Sequence, residues 1–386
     1  MGMKLHCLAG VVGLIALGVF VGCATSNPSS PSTGTGLLYL ATQGDSLLTP
    51  FAIDLGAGTL SSPGKAAATG DTPTAMIMAP DGSALFVVNS GGGSNNGCGS
   101  VGGSCITAYT LNSDGSIATA GSPVAAGTNP RGMAMDSGGK LLFVANQGSN
   151  DVSVFTVSGT TLTAVPQSPS LIFGSNPVAV AVTPDGKFLY VANQVDGTVT
   201  QFSVDASGVL TQPGGFLYPV GTTPTGMTVT ADGNFLYVAN QGSNNISVFT
   251  ICFNATPSCV TPDGTLTAGT TVSAGTGPVA ITEDPSSTFL YVVDKGSNQL
   301  SQYRISLGTG ALTPLSPAAV SVGSTPLSVG VRAGETVSSV TTNYVYVANS
   351  GSSSVSVFSY VTTAGTLGVL GSPVAVGGQP SALVVK

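Results

Sequence analysis

Short apolar segments of alternating large and small residues recur along this chain, each closed by a polar turn. The clearest set reads LLYLAT (37–42), LFVVN (85–89), LFVAN (142–146), LYVAN (189–193), LYVAN (236–240), LYVVD (290–294) and VYVAN (345–349). All seven are rich in β-branched and aromatic residues and end in Asn, Asp or Thr, which predicts a strand entering a turn. Ahead of each of the last six stands a proline and a second apolar segment: Pro73-TAMIMA, Pro130-RGMAMD, Pro177-VAVAVT, Pro224-TGMTVT, Pro278-VAITED and Pro326-LSVGVR. Asp81-Gly82, Asp185-Gly186 and Asp232-Gly233 join the two segments as hairpin turns. A third strand follows with a fixed aromatic (Phe51, Tyr109, Phe155, Phe202, Phe249, Tyr303, Phe358), and a fourth follows a Gly-x-Leu turn. Successive prolines lie 47–57 residues apart, room for four short strands and their loops.

Within the first strand, the second and fourth positions after the proline are mostly small and the third and fifth mostly large. Ala179 and Ala181 alternate in this way with Val180 and Val182, and Met133 and Met135 take the large places. Such a period of two, apolar on both faces, suits a sheet stacked between two other sheets. The methionines therefore read as core between blades, not as metal ligands. The first copy lacks a preceding first strand, while Pro380-SALVVK ends the chain as an orphan one. Pairing Ala382–Val385 with Leu38–Ala41 completes a seventh sheet from both termini. The expected fold is all-β: a seven-bladed β-propeller of four-stranded blades over residues 37–386, closed when the C-terminal strand completes the N-terminal blade.

The YVAN and YVVD strands, with their Pro and Asp-Gly partners, resemble the YVTN-type repeat. They also resemble the seven-bladed lactonase family that includes 6-phosphogluconolactonases. The resemblance implies hydrolysis of a lactone at one mouth of the central channel, where members are thought to use His, Glu and Arg. Its recurring residues are structural, and the same scaffold serves unrelated tasks.

Composition sharpens this picture. Charged residues are only 6% of 386, with 9 Lys+Arg against 16 Asp+Glu, so polarity must come from Ser, Thr, Asn and Gln. The formal charge of −7 argues against nucleic acid and against a polybasic membrane patch. The N-terminal segment has Lys4, an apolar run Leu8–Val21 and then Gly22-Cys23. It resembles a bacterial lipoprotein signal, with Phe20 where that family has Leu, which implies a signal peptide over 1–22 and acylation of Cys23. Cleavage nearby and an uncleaved anchor are the alternatives. Residues 23–36 read as a Ser/Thr/Pro tether. Cys98 and Cys105, like Cys252 and Cys259, stand seven apart in polar insertions, which predicts two local disulfides in an oxidising compartment. The competing zinc site would need four thiolates to converge from distant loops.

The one histidine, His6, lies inside the expected signal span 1–22 and would be lost on cleavage, so the commonest general base would be missing. Propeller topology gathers Arg131, Asn89, Asn146, Gln147, Asn193, Gln194, Asp196, Asn240, Gln241, Asp294 and Lys295 on the mouth face. Glu283, Arg332, the Asp-Gly turns and the Cys252–Cys259 loop fall on the other, and neither Glu283 nor Glu335 falls clearly on the mouth. Arg131 is one of three arginines and replaces the Thr, Val, Leu or Ser of other copies. A guanidinium there suits a carboxylate or phosphate. The leading expectation is a non-enzymatic envelope module. Arg131, Asn146, Gln147, Asn193, Gln194, Asn240, Gln241 and Lys295 would bind a cell-wall glycan, a surface protein or a small polar ligand. It would be a monomer without cofactor or metal, touching the membrane only through a lipid anchor. The rival is a lactonase-like hydrolase using Arg131 with Asp196 or Asp294; a third role is a structural spacer in the surface layer.

Overall fold

A computed structural model of the protein describes residues 35–386, apart from 62–63, 92–97, 99–102, 169, 172–173, 213–216, 255–258, 260–261, 335 and 338–339. The signal segment, Cys23 and most of the tether lie outside the described residues, as does Glu335. Every regular element described is a strand, and the strands form seven antiparallel sheets. We number these blades 1–7 in chain order. Their innermost strands are Pro380–Val385, Pro73–Met78, Pro130–Met135, Pro177–Val182, Pro224–Val229, Pro278–Glu283 and Pro326–Arg332. The expected seven-bladed propeller is the observed fold.

Stacking follows from the two-faced inner strands. Val180 and Val182 of blade 4 pack on Phe143, Ala145 and Val154 of blade 3, while the small Ala181 meets blade 5 around Leu236 and Val238. Met76 and Met78 pack against Tyr39 and Leu48 of blade 1, so the methionines are core. The tyrosine of the LYVAN strand adds a polar tie. Tyr39, Tyr190, Tyr237, Tyr291 and Tyr346 each donate a hydrogen bond, 2.6–3.1 Å, to a glycine carbonyl in the third-to-fourth-strand turn of the next blade. The acceptors Gly115, Gly264, Gly310, Gly365 and Gly58 all have φ between +67° and +82°. Blades 2 and 3 carry Phe86 and Phe143 at this place and keep only the apolar part of the contact.

Closure occurs as the termini predict. Leu38, Tyr39, Leu40 and Ala41 pair with Val385, Val384, Leu383 and Ala382. The strand of blade 1 starts at Thr35, two residues before the expected boundary, because Thr35 and Gly36 still pair with Asp54 and Ile53. Among the described residues the fourth strand is usually two short pieces on the third, as with Leu266–Ala268 and Val272–Ser273, and blade 6 has one long strand, Leu312–Ser321.

A glycine three residues before the proline recurs in all seven blades, and its reason is contact. In blade 4 a Cβ on Gly174 would stand 2.4 Å from the Asn193 carboxamide, and its φ of +147° is one that L residues rarely adopt. Gly174→Ala should therefore cost about 2 kcal/mol or more of stability, read from the urea midpoint; an unchanged midpoint would contradict this packing.

Candidate functional site at the channel mouth

The mouth is built by a repeated irregularity in the ladder. In blades 2–7 the proline pairs with the last residue of the second strand, and the register then skips one residue before pairing resumes. The skipped residue is a bulge whose side chain leaves the sheet plane. Thr74, Arg131, Val178, Thr225, Val279 and Leu327 occupy it, and Ser381 takes the same place after Pro380. These seven side chains line a cavity of about 330 Å³ together with Gln43, Gln147 and Gln194. The residues before the prolines, among them Thr72, Asn129, Thr223 and Thr325, are held at φ near +50°. This conformation is strained before proline and for β-branched residues, so the mouth is fixed by its surroundings.

Val279 and Leu327 of blades 6 and 7 stand across the seven-blade ring from blade 3, which brings Arg131 and Gln147, and Val178 of blade 4 adds an apolar residue beside them. Among the described residues, Arg131 is the one charged residue of the lining. Its Nε donates to Gln147 Oε1 at 3.0 Å, and that oxygen also accepts from Asn129 Nδ2 at 3.0 Å. Gln147 Nε2 donates onward to Gln194 Oε1 at 2.9 Å. Among the described residues nothing takes the two terminal guanidinium nitrogens or Gln194 Nε2, so a ligand meets donors on this side. The first insertion supports the network, since the Asn129 amide donates to Ser104 Oγ at 3.2 Å, beside the Cys98–Cys105 disulfide.

Arg131, Gln147 and Gln194 are thus the sequence-predicted residues that the fold brings together. Asn146, Asn193 and Asn240 are not on the cavity. Each is fully buried and donates from Nδ2 to side chains five and seven residues later on the third strand, Asp151 and Ser153 in the case of Asn146. Their expected contact with a ligand is corrected by this burial, and Asn89 does the same toward Thr107. Gln241 and Lys295 hold the equivalent rim places of blades 5 and 6 without lining the cavity, and Lys295 is exposed. Asp196 is exposed and lines a second cavity of about 470 Å³ that shares Gln194. The lining positions Gln43, Thr74, Val178, Thr225, Val279, Leu327 and Ser381 escaped sequence reasoning. Reading the residue after each proline as one column would have found most of them.

Asp294 stands in the Asn place of blade 6. It is fully buried and accepts from Ser301 Oγ at 2.6 Å, so it is no partner for Arg131 and its expected catalytic role is corrected. Burial pushes its carboxyl up to about 6, against the hydrogen bonds that favour the anion. Glu283 and Arg332 end the inner strands of blades 6 and 7, away from the mouth. Burial raises Glu283 to about 7, and its Oε2 has no partner among the described residues. A larger cleft of about 740 Å³ at that opposite end includes Asp136, Asp185 and Asp205. All three carboxylates are engaged by backbone amides of their own turns. Among the described residues no three His, Cys, Asp or Glu are grouped to hold a metal ion. Cys98–Cys105 and Cys252–Cys259 form the two local disulfides, with Cα atoms 5.6 and 5.3 Å apart, consistent with an oxidising compartment.

An all-β ring of seven four-stranded blades, with a polar cavity where the inner strands begin, defines a seven-bladed β-propeller with a channel-mouth site. Within it, residues 94–170 and 160–256 match the model of the lactonase seven-bladed β-propeller family, across parts of four consecutive blades. The fold is similar to the periplasmic gluconolactonase of Pseudomonas aeruginosa: TM-score 0.72, 23% identity, 91% of this chain and 99% of that one. A 6-phosphogluconolactonase candidate from Bacteroides fragilis is similar too: TM-score 0.72, 19% identity, 92% of this chain and 100% of that one. Hydrazine synthase of Kuenenia stuttgartiensis shares the fold more loosely: TM-score 0.56, 17% identity, 81% of this chain and 89% of that one. No curated protein matches the chain.

The raised Asp294 value has a sign that can be tested. Between its ordinary value of 3.8 and about 6, the native state holds a proton that the unfolded chain releases, so stability falls as pH rises through this window. Asp294→Asn removes that cost and installs the residue used in five other blades. Unfolding at pH 7.5 should show a gain of about 2–3 kcal/mol that vanishes by about pH 4. A pH-independent difference would contradict it.

Proposed function

We propose that the protein is a lactonase-type hydrolase acting on small sugar-derived lactones at the channel mouth. The observation that carries this reading is Arg131, held at its Nε by Gln147 with its terminal nitrogens turned to a cavity whose far wall is apolar. Water adds to the lactone carbonyl carbon and the carbonyl oxygen takes up negative charge, which the guanidinium offsets. Collapse of this intermediate breaks the ring C–O bond, the departing alkoxide takes a proton, and the product is a hydroxy acid whose carboxylate suits the same cation. Val279 and Leu327 fit the C–H face of a sugar ring, and Gln43, Thr74 and Gln194 fit its hydroxyls. The lactonase family match and the fold shared with a periplasmic gluconolactonase support the reaction class.

Export belongs to the same proposal. The two disulfides support it, and the lipoprotein-like segment adds an anchor through Cys23. A second reading, a binding module without turnover, is favoured by one observation: among the described residues no carboxylate lines the mouth. The hydrolase reading accommodates this if hydroxide or unassisted water attacks an intrinsically reactive ester.

Turnover of D-glucono-1,5-lactone by the purified protein, corrected for spontaneous opening, separates the two. Arg131→Ala should lower kcat/KM about 100-fold or more, the loss expected for one oxyanion donor. The rate of the native protein should rise steadily with pH, with no inflection between pH 5 and 7. No turnover together with retained gluconate binding would leave the binding module as the function.

A further inference from the structure

The mouth-face turn between the second and third strands is nearly the same in blades 3, 5 and 6. After Asn or Asp and one rim residue it reads Gly-Ser-Asn: Gly148–Asn150, Gly242–Asn244 and Gly296–Asn298. That closing Asn stitches the seam to the next blade. Asn150 Oδ1 accepts from the Asn176 amide at 2.8 Å, Asn244 Oδ1 from Gly277 at 2.7 Å, and Asn298 Oδ1 from Thr325 at 2.8 Å. Blade 4 alone departs at the first place, reading Val195-Asp196-Gly197.

Three consequences meet at one spot. Gly197 has no side chain with which to stitch the seam between blades 4 and 5. The first position is tight, since a Cβ on Gly148, Gly242 or Gly296 would come within 2.7–3.0 Å of the preceding loop. In blade 4 the Val195 amide keeps the corresponding bond, to the Ser175 carbonyl at 3.3 Å, and the backbone bond across the seam, Val220 N–H to the Gly197 carbonyl at 2.9 Å, is also kept, so only the side-chain stitch is missing. Finally, Val195 stands 69% exposed at the rim, an apolar residue where the repeat uses glycine. Along this seam, where no side chain reaches across from Gly197, lies the cavity of about 470 Å³ lined by Gln194, Val195, Asp196, Gly197, Thr222 and Thr223.

We propose that this seam is a second subsite, and that the substrate is a lactone bearing a further sugar unit, a disaccharide-derived aldonolactone. The inference rests on the lactonase reading of the mouth and names its substrate class. Gln194 belongs to both cavities, and its free Nε2 lies where the two units join. The mouth alone, about 330 Å³, is at the lower end of ligand-site sizes, and the seam extends it. Val195 gives the apolar contact that a sugar C–H face takes, while Asp196 and the two threonines receive hydroxyls. A carboxylate with no cation in the lining favours an uncharged polyol there and repels a phosphorylated extension.

The test compares gluconate with cellobionate by calorimetry, and glucono- with cellobionolactone by turnover. The native protein should bind cellobionate about tenfold or more tightly than gluconate. The triple variant Val195→Gly, Asp196→Ser, Gly197→Asn, which restores the common turn, should keep gluconate affinity and glucono-lactone turnover while bringing the two aldonates within about twofold. Asp196→Asn, an exposed and nearly isosteric change, should lose part of the preference even if the triple variant folds poorly. Equal affinity of the native protein for the two acids, or a preference that survives both variants, overturns the subsite and leaves the mouth reading standing. Binding and turnover of neither compound overturns both.

Discussion

The constraint on which the structure depends is that each blade is apolar on both faces. A sheet of this kind must be covered twice, so an open stack would leave two end blades exposed, whereas a ring leaves none. The chain meets this demand by splitting blade 1 between its ends, with Leu38–Ala41 paired to Ala382–Val385. Inter-blade packing then orders the rest. Large residues of one inner strand need small ones facing them, and the tyrosine hydroxyls need carbonyls that only a left-handed glycine turn presents across the seam.

The same economy separates structure from function at the mouth. The Asn that ends the second strand is fastened to the third strand and covered by the glycine three residues before the proline. Because those two positions carry the geometry, the bulged residue after the proline is free to vary: Thr74, Thr225 and Ser381 donate to the proline carbonyl of the next blade, while Arg131, Val178, Val279 and Leu327 have no hydroxyl to do so. Its identity varies from Ser381 to Arg131 to Leu327, and a seven-fold scaffold thereby becomes a cavity lined by both polar and apolar residues. Blade 4 varies in the adjoining turn as well, where Gly197 lacks the Asn side chain that bridges to the next blade in blades 3, 5 and 6.

Much of this was legible in the sequence. Seven repeats, their strand order, the closure and both disulfides follow from spacing and alternation, because a two-sided strand writes its period directly into the chain. Arg131 stood out as a charge in a column of neutral residues. Asn146, Asn193 and Asn240 were misplaced for a geometric reason: next to a bulge, one residue decides between cavity and core. Gln147, one position further, lines the mouth while Asn146 is buried. Asp294 misled in the same way, its charge suggesting chemistry at a position that serves as an anchor. The apolar lining was invisible because Val279 and Leu327 resemble any core residue until the bulge is placed.

On the proposed reading, Arg131 and its glutamines bind a sugar-derived lactone or its acid. A crystal structure of the protein soaked with gluconate tests this most directly. Gluconate is expected at the mouth, its carboxylate within hydrogen-bond distance of the Arg131 guanidinium and its carbon chain toward Val279 and Leu327. Gluconate bound at the opposite end of the channel, or an empty mouth at millimolar concentration, would contradict it.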